Sequence, residues 1–257
     1  MKKTSVSTSA IALISILYWP ANALAAHPLI TEDTGTQGTG NFQIELTQDL
    51  TQDKDTGTET RDRSFSAILS YGLTDTFDII AALPYEHSTE HSGGTKTTVH
   101  GFSDMEIAFK WRFYEEGALS LALRPSLGLP TGNDDKGLSS EHYVPSLFGV
   151  MTYAIEFWAF HLHLGYTRNF HDGPGQREHV FHTSAAAEYS INESARVVAD
   201  ISTESNPDDA GHPSINSIVL GLIFSVTPDV DIDLGYRRGL SDAAADHAWL
   251  TGLSIRF

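Results

Sequence analysis

Hydrophobic and polar residues alternate with period two along much of this chain. The clearest run, at 102–113, places large apolar side chains on one face and polar or small ones on the other, and runs at 77–85, 119–129 and 158–166 repeat the pattern. Because successive side chains of a strand point to opposite faces, this alternation predicts strands with one apolar face. The four apolar stripes are Phe77, Ile79, Ala81, Leu83 and Tyr85; Met105, Ile107, Phe109, Trp111 and Phe113; Leu119, Leu121, Leu123, Leu127 and Leu129; and Trp158, Phe160, Leu162, Leu164 and Tyr166.

Weaker alternating runs complete the pattern, which totals twelve segments of about ten residues, the length that a tilted strand needs to cross a bilayer. The sequence therefore predicts an all-β fold, a transmembrane antiparallel up-and-down β-barrel over residues 41–257. The weaker runs begin near Asn41, Asp62, His142, Glu178, Ala195, Ser214, Asp231 and Ala248.

The connections between these segments alternate in length, as they do in outer-membrane barrels with short periplasmic turns and longer extracellular loops. An even number of strands then places both chain ends in the periplasm. The short connections are 73–76, 114–118, 153–156, 190–194 and 227–229, and the longer ones lie near 51–61, 88–101, 130–141, 167–177, 204–213 and 239–247.

A soluble β-sandwich also has alternating strands, but two features favour the barrel. Aromatic residues cluster at the predicted strand ends, as an interfacial girdle requires. The last alternating run, from Trp249, ends in Phe257, and a C-terminal aromatic residue is a typical signal for the barrel assembly machinery. We therefore expect Phe257 to contact that machinery.

The N-terminus has the features of a cleavable secretory signal over residues 1–25. Lys2 and Lys3 precede a short apolar run, and Ala23 and Ala25 provide a cleavage site. No later stretch has the roughly 18 apolar residues of a membrane-spanning helix. Together these features predict export through the inner membrane and residence in the bacterial outer membrane, with lipid as a partner. Residues 26–40 precede the first strand, and the sequence leaves open whether they lie in the periplasm or in the lumen.

The composition excludes several functions. The chain has no cysteine, which excludes disulfides, a lipid anchor on cysteine and thiolate metal sites. Without Lys2 and Lys3, 14 basic residues remain against 33 acidic ones, a net charge of −19. This charge argues against a nucleic-acid partner and suits solvated loops or a pore that favours cations or neutral solutes.

Most charged residues of the predicted strands lie opposite the apolar stripe. A lysine or arginine facing lipid at the midplane costs about 2–4 kcal/mol, so these residues are predicted to point into the lumen. Two roles stay open: they line a conduction path, or they only neutralise one another. The lumen-lining candidates are Glu45, Glu106, Lys110, Arg112, Arg124, His161, His163, His182, Arg196, Asp200, Asp233, Arg237 and Arg256.

Three prolines, Pro84, Pro125 and Pro145, fall within predicted strands toward the long-loop end. Proline cannot donate to the hydrogen-bond ladder, so we expect an irregular rim there, either a kinked wall or an opening.

The sequence contains no specific catalytic or cofactor motif, and we expect no cofactor and no resident metal. His161 and His163 have the spacing of a chelating pair on a strand, but solvated or hydrogen-bonded histidines are the simpler interpretation. Other histidines cluster near 87–100 and 171–182. An enzyme alternative, a hydrolase using His182 and Ser184, lacks an identifiable third group to orient the histidine.

Several short motifs resemble the outer-membrane transporter β-barrels of the family named for the MetA-pathway of phenol degradation. The resemblance rests on residues 27–38 (HPLITEDTGTQG), 41–45 (NFQIE), 71–75 (YGLTD), 101–104 (GFSD) and 127–132 (LGLPTG). It implies an outer-membrane barrel associated with uptake of small, often aromatic, compounds. The family carries no settled catalytic residues to transfer.

The sequence thus supports one main function and two alternatives. The main one is an outer-membrane channel or transporter for small, aromatic or hydrophobic, solutes. The first alternative is a non-conducting barrel that presents its extracellular loops to a partner, since side chains can still fill a barrel of this size. The second is an outer-membrane hydrolase.

Overall fold

The computed structural model describes residues 27–55, 57–170, 176–208 and 212–257, which form thirteen strands. The predicted signal peptide, residues 1–25, lies outside this part of the chain. The strands are β1 (Phe42–Asp55), β2 (Thr58–Thr74), β3 (Phe77–Ser92), β4 (Thr95–Phe102), β5 (Met105–Glu116), β6 (Leu119–Leu129), β7 (Val144–Ile155), β8 (Trp158–Arg168), β9 (His179–Asn192), β10 (Ala195–Ser205), β11 (Ser214–Thr227), β12 (Val230–Gly239) and β13 (His247–Arg256).

The sheet closes on itself to make a twelve-position antiparallel barrel. β1 pairs with β2 on one side and with β13 on the other, from Gln43 opposite Arg256 to Gln52 opposite His247. β4 and β5 occupy one position of the wall, because β3 pairs with β5 along its first half and with β4 along its second. The predicted twelve-strand barrel is confirmed.

Alternation along the strands separates a lumenal from an outer face. In β9, every second residue from Val180 to Glu188 is buried, whereas the lipid-facing Phe181 is 60% exposed. In β11, Val219 and Ile223 are buried in the lumen and Leu222 on the opposite face is 54% exposed. A large apolar surface on the outside is unfavourable in water and is the surface that a bilayer covers.

Two predicted loops, 51–61 and 88–101, are instead mostly strand. β1 and β2 pair as far as Asp55 and Thr58, and β3 and β4 as far as Ser92 and Thr95. Their residues are polar on both faces, so hydrophobic alternation does not mark them. β2 has 17 residues, more than the roughly ten that span a bilayer. The β1–β4 region therefore rises beyond the membrane on the long-loop side.

The wall is irregular at one of the three prolines. Ser103 and Asp104 interrupt the descending strand between β4 and β5, where the Ser103 amide donates to the Pro84 carbonyl at 3.1 Å. Pro125 and Pro145 instead keep regular positions opposite Leu147 and Leu127. The expected irregular rim is thus a kink at Pro84, where no amide hydrogen is available to continue the ladder.

Within the described residues, no helix is both long and apolar enough to cross a membrane. A single turn of 3₁₀ helix, Asp134–Lys136, lies in the loop between β6 and β7. Asp104 organises this loop by accepting hydrogen bonds from the Gly132 amide at 2.9 Å and the Ser140 amide at 2.7 Å.

The face assignment predicts how stability depends on depth. Leu222→Arg, near the middle of β11, is expected to destabilise the folded barrel by about 2–4 kcal/mol, whereas Val226→Arg, beside the short turn, costs about 0–1 kcal/mol. Urea titrations of refolding into liposomes measure both. Equal losses at the two positions would contradict the assigned membrane depth.

Candidate functional site

Most of residues 27–41, which we call the plug segment, lies inside the lumen. Asp200 on β10 accepts hydrogen bonds from the amides of Ile30 at 3.0 Å and Thr31 at 2.7 Å. The Thr34 amide donates to the hydroxyl of Thr152 on β7 at 3.1 Å. Wall side chains therefore supply acceptors that the irregular backbone lacks, which allows it to be buried at membrane depth.

The inner end of the plug segment is held by a histidine between two carboxylates. His27 contacts Asp233 on β12 through Nδ1 at 2.7 Å and Asp49 on β1 through Nε2 at 3.2 Å. The Asp233 side chain is only 2% exposed. The contact joins two strands across the β1–β13 closure to the start of the plug segment.

An ionic cluster holds the middle of the plug segment. Glu32 lies between Lys110 on β5, at 2.9 Å, and Arg124 on β6, at 2.8 Å. Arg124 also donates to Glu106, and Asp33 lies 4.0 Å from Lys110. Lys110 and Arg124 are largely buried, and breaking buried ion pairs is strongly destabilising, so this cluster constrains the plug position.

Apolar contacts, and glycines in the wall, also hold the plug segment in place. Leu29 packs on Val198 and Ile223, and Ile30 packs on a second cluster that contains Leu250. Pro28 occupies space left by two glycines of the wall: a Cβ atom on Gly221 or on Gly235 would lie 2.5 Å from its ring. The wall is therefore shaped to hold a polypeptide segment.

The plug segment leaves the lumen at the short-turn end. Thr39 donates to Asp75 through its hydroxyl at 2.6 Å and its amide at 3.1 Å, and these bonds hold the pKa of Asp75 below its ordinary value. The Gly40 amide donates to the Gly72 carbonyl at 2.8 Å. A Cβ atom on Gly72 would lie 1.9 Å from the Gly38 carbonyl oxygen, so this exit requires glycine. The segment thus enters the barrel from the short-turn end.

All thirteen lumen-lining candidates lie on the inner face, but they divide into two groups. Four contact the plug segment directly: Lys110, Arg124, Asp200 and Asp233. The others bind neighbours on the wall: Glu45 with Gln43, Glu106 with Arg124, Arg112 with Glu115, His161 with Thr152, His163 with the rings of Phe148 and His182, His182 with Glu204, Arg196 with Glu188 and Asp231, Arg237 with Asp49, and Arg256 with Asp231.

Sequence reasoning missed several residues that the site depends on. Asp49, Asp78 and Asp231 are lumenal carboxylates, of which Asp78 accepts from the Gln37 amide at 3.0 Å. Asp78 lies opposite the stripe that begins with Phe77, so parity alone could have found it. Glu32 carries no such signal, because it precedes the first strand.

Two lumenal histidines, His163 and His182, lie in an aromatic environment rather than in a metal site. Within the described residues, no three histidine or acidic side chains are arranged to hold a metal. The His163 ring packs against that of Phe148 in a tilted arrangement, with ring centroids 4.6 Å apart, and its centroid lies 5.2 Å from that of His182. These three rings form what we call the lumenal aromatic cluster, with the Arg124 guanidinium 6.0 Å from the Phe148 centroid.

The third group that the hydrolase alternative lacked is Glu204. His182 contacts Ser184 Oγ at 3.0 Å and Glu204 at 3.1 Å. However, Ser184 is only 2% exposed, and its strand pairs on both sides, with β8 and β10. The adjacent amides are therefore engaged in the sheet and do not form an oxyanion hole. This geometry fits a hydrogen-bonded wall contact.

Above the plug segment, the inner face of β1–β4 is acidic. It carries Asp53, Asp62, Glu86 and Glu90, and among the described residues of this inner face above Asp49 there is no lysine, arginine or histidine. The Ser64 hydroxyl donates to Glu86 at 2.8 Å. We call this surface the acidic vestibule.

The family model for the MetA-pathway of phenol degradation matches residues 28–257, so the chain belongs to this family. No curated protein matches the sequence.

Solved structures share the fold at low identity. The COG4313 outer membrane channel from Pseudomonas putida F1 is 15% identical with a TM-score of 0.72, over 88% of this chain and 98% of that one. The KdgM porin in complex with disordered oligogalacturonate is 8% identical with a TM-score of 0.56, over 84% and 99%. The transport unit of the autotransporter AIDA-I from Escherichia coli is 12% identical with a TM-score of 0.55, over 89% and 93%.

The hydrogen bonds to Asp200 predict that the plug segment becomes more mobile when this residue is replaced. In a Thr31→Cys background, Asp200→Ala leaves two buried amides without an acceptor, a loss of about 1–3 kcal/mol for each. The thiol at position 31, buried in the parent, should then react with a charged maleimide at least about tenfold faster.

Ser202→Ala is the matched control, because Ser202 lies on the same face of the same strand and bonds to Ser217 rather than to the plug segment. Equal labelling rates in the Asp200 and Ser202 variants would show that Asp200 does not hold the plug.

Proposed function

We propose that this member of the phenol-degradation family is an outer-membrane channel for small solutes, gated by its own plug segment. The observation that carries the proposal is that the lumen accommodates a polypeptide segment, residues 27–41, rather than side chains of the wall alone. When the segment moves, a continuous path remains, lined by the inner face of the barrel.

The anchoring of the plug segment suits reversible movement. Its contacts with the wall are hydrogen bonds, ion pairs and small apolar clusters, and the segment is continuous with the wall only through β1. The wall ladder includes the segment only at its end, where Gly40 and Asn41 bond to Gly72 of β2. The barrel can therefore keep its backbone pairing when the segment is displaced, at the energetic cost of the anchoring contacts.

The solute class follows from the lining. The acidic vestibule disfavours anions, because its carboxylates face the entrance without cations among them. The lumenal aromatic cluster offers π faces for stacking a flat ring, and the surrounding polar groups can bind a hydroxyl. We therefore propose small neutral aromatic compounds of phenolic type as solutes.

The comparisons support the coarse part of this proposal. The similar folds include an outer membrane channel and a porin. Residence in the outer membrane follows from the barrel and its apolar exterior; export by a cleavable signal peptide remains our expectation. We also propose that Phe257, which is 68% exposed at the end of the chain, contacts the barrel assembly machinery.

The gating proposal is tested by locking the plug. Thr34 and Ser120 are in hydrogen-bond contact through their hydroxyl groups, and the chain has no cysteine of its own. In Thr34→Cys/Ser120→Cys, a disulfide should form because the side chains are close enough for its geometry. We expect the oxidised protein to be silent in a planar bilayer and dithiothreitol to restore conductance.

Thr34→Cys alone is the control, and its conductance should not respond to dithiothreitol. Equal conductance of locked and reduced forms would disprove gating by the segment. If no form conducts, although circular dichroism shows that the protein is folded, the result would favour the non-conducting interaction barrel. The filled lumen is also consistent with that alternative.

The solute proposal is tested by phenol block. Phenol should reduce single-channel conductance, and Phe148→Leu should weaken the block about two- to tenfold, the loss expected for one aromatic contact of about 0.5–1.5 kcal/mol. Phe181→Leu removes a ring from the lipid face and should leave the block unchanged. Equal effects of the two substitutions would exclude the aromatic cluster as the binding site.

A further inference from the structure

The outer face of β1–β4 above the membrane is basic, in contrast to its acidic inner face. Arg61 and Arg63 on β2 share the outer face with the exposed Phe65 and Leu69. The paired residues of β3 and β4 point the same way. Together they line a shallow pocket formed by Arg61, Arg63, His87, Thr89, His91 and Lys96, which we call the outer basic patch.

The height of the patch is set by strand register. Phe65 pairs with Tyr85 and Tyr85 with Phe102, which gives a row of three aromatic residues on the outer face. The next row toward the long-loop end contains Arg63, His87 and His100, about 7 Å farther along the strands, and Arg61 lies about 13 Å from Phe65 along β2. The patch therefore begins directly above an aromatic row of the kind that marks a membrane interface.

Most cations of the patch lack an acidic partner. Arg61 contacts Glu59 at 2.7 Å, and Lys54 lies 3.7 Å from the same carboxylate. Within the described residues, no carboxylate forms an ion pair with Arg63 or Lys96. The rings of His87 and His100 stack with centroids 5.8 Å apart. A chain of net charge −17 thus presents unpaired positive charge at one level of its lipid-facing side.

A solute entering the lumen does not meet this patch, because the patch lies on the opposite side of the strands from the acidic vestibule. The groups that do meet it are those of the surrounding outer leaflet, just above the hydrocarbon. Arginine and lysine are suited to phosphate, arginine through paired donors and lysine through a point charge, and both are attracted to an anionic membrane surface.

We propose that the outer basic patch binds the phosphate groups of an outer-leaflet glycolipid of the lipid A type, whose acyl chains lie on the apolar belt below. The phosphates contact Arg61, Arg63 and Lys96, and the acyl chains lie against Phe65, Leu83 and Phe102. The site orients the β3–β4 hairpin against the membrane surface, independently of whether the lumen conducts.

The test is native mass spectrometry of the full-length protein in detergent, titrated with bis-phosphorylated lipid A. We expect specific binding at least about tenfold tighter than that of dephosphorylated lipid A, and a loss on the order of tenfold in Arg63→Gln/Lys96→Gln. Both side chains are exposed and outside the lumen, so heat modifiability and circular dichroism should stay unchanged.

The matched control is Arg168→Gln/Arg238→Gln, which removes two exposed or partly exposed cations from the same end of other strands. It should bind lipid A like the parent. Equal loss in both double variants would show diffuse attraction and overturn the site.

Two further outcomes would also overturn the proposal. Equal binding of lipid A with and without its phosphates would show acyl-chain contact alone. Competition by inorganic phosphate at concentrations similar to those of lipid A would show a free-phosphate site rather than a lipid site.

Discussion

Closure of the hydrogen-bond ladder between β1 and β13 is the constraint on which the rest of this structure depends. In a bilayer, an unpaired backbone amide or carbonyl costs several kcal/mol, so a sheet can cross only when its two edges meet. Once the ring closes, side-chain alternation assigns each residue to lipid or lumen. A charged residue then has only one inexpensive position, and the inner face accumulates carboxylates and cations together.

A closed wall with a charged interior requires the buried charges to be compensated, and the plug segment provides part of that compensation. Glu32 lies between the two cations Lys110 and Arg124, and His27 lies between Asp49 and Asp233. The wall in turn supplies the acceptors that the extended plug backbone needs. Plug and wall are therefore mutually dependent, and the same polar contacts hold the plug segment and stabilise the barrel.

The charge of the β1–β4 extension differs between its two faces. Carboxylates line its inner surface, whereas on the outer one arginine, lysine and histidine outnumber the carboxylate of Glu59. The excess of opposite charge on the two faces fits the two surroundings that we propose, a vestibule for solutes and a leaflet of anionic lipid, on either side of one sheet.

The sequence by itself determined the barrel, the number of strands across the wall and the face of the charged residues that lie opposite an apolar stripe, because period-two alternation reports directly which side of a sheet a residue occupies. Lys110 and Asp200 were assigned to the lumen on that basis, and Phe257 marked the last strand. Polar strands such as β4 were not predicted, because alternation between apolar and polar residues is visible only where one face is apolar.

The tertiary structure alone decided where residues 27–41 lie and which residues the charged groups of the lumen contact. The contact between Thr31 and Asp200 joins residues 169 positions apart, and no local pattern encodes such a distance. Alternation predicts that a side chain points inward. Its contacts there are determined only when the barrel closes.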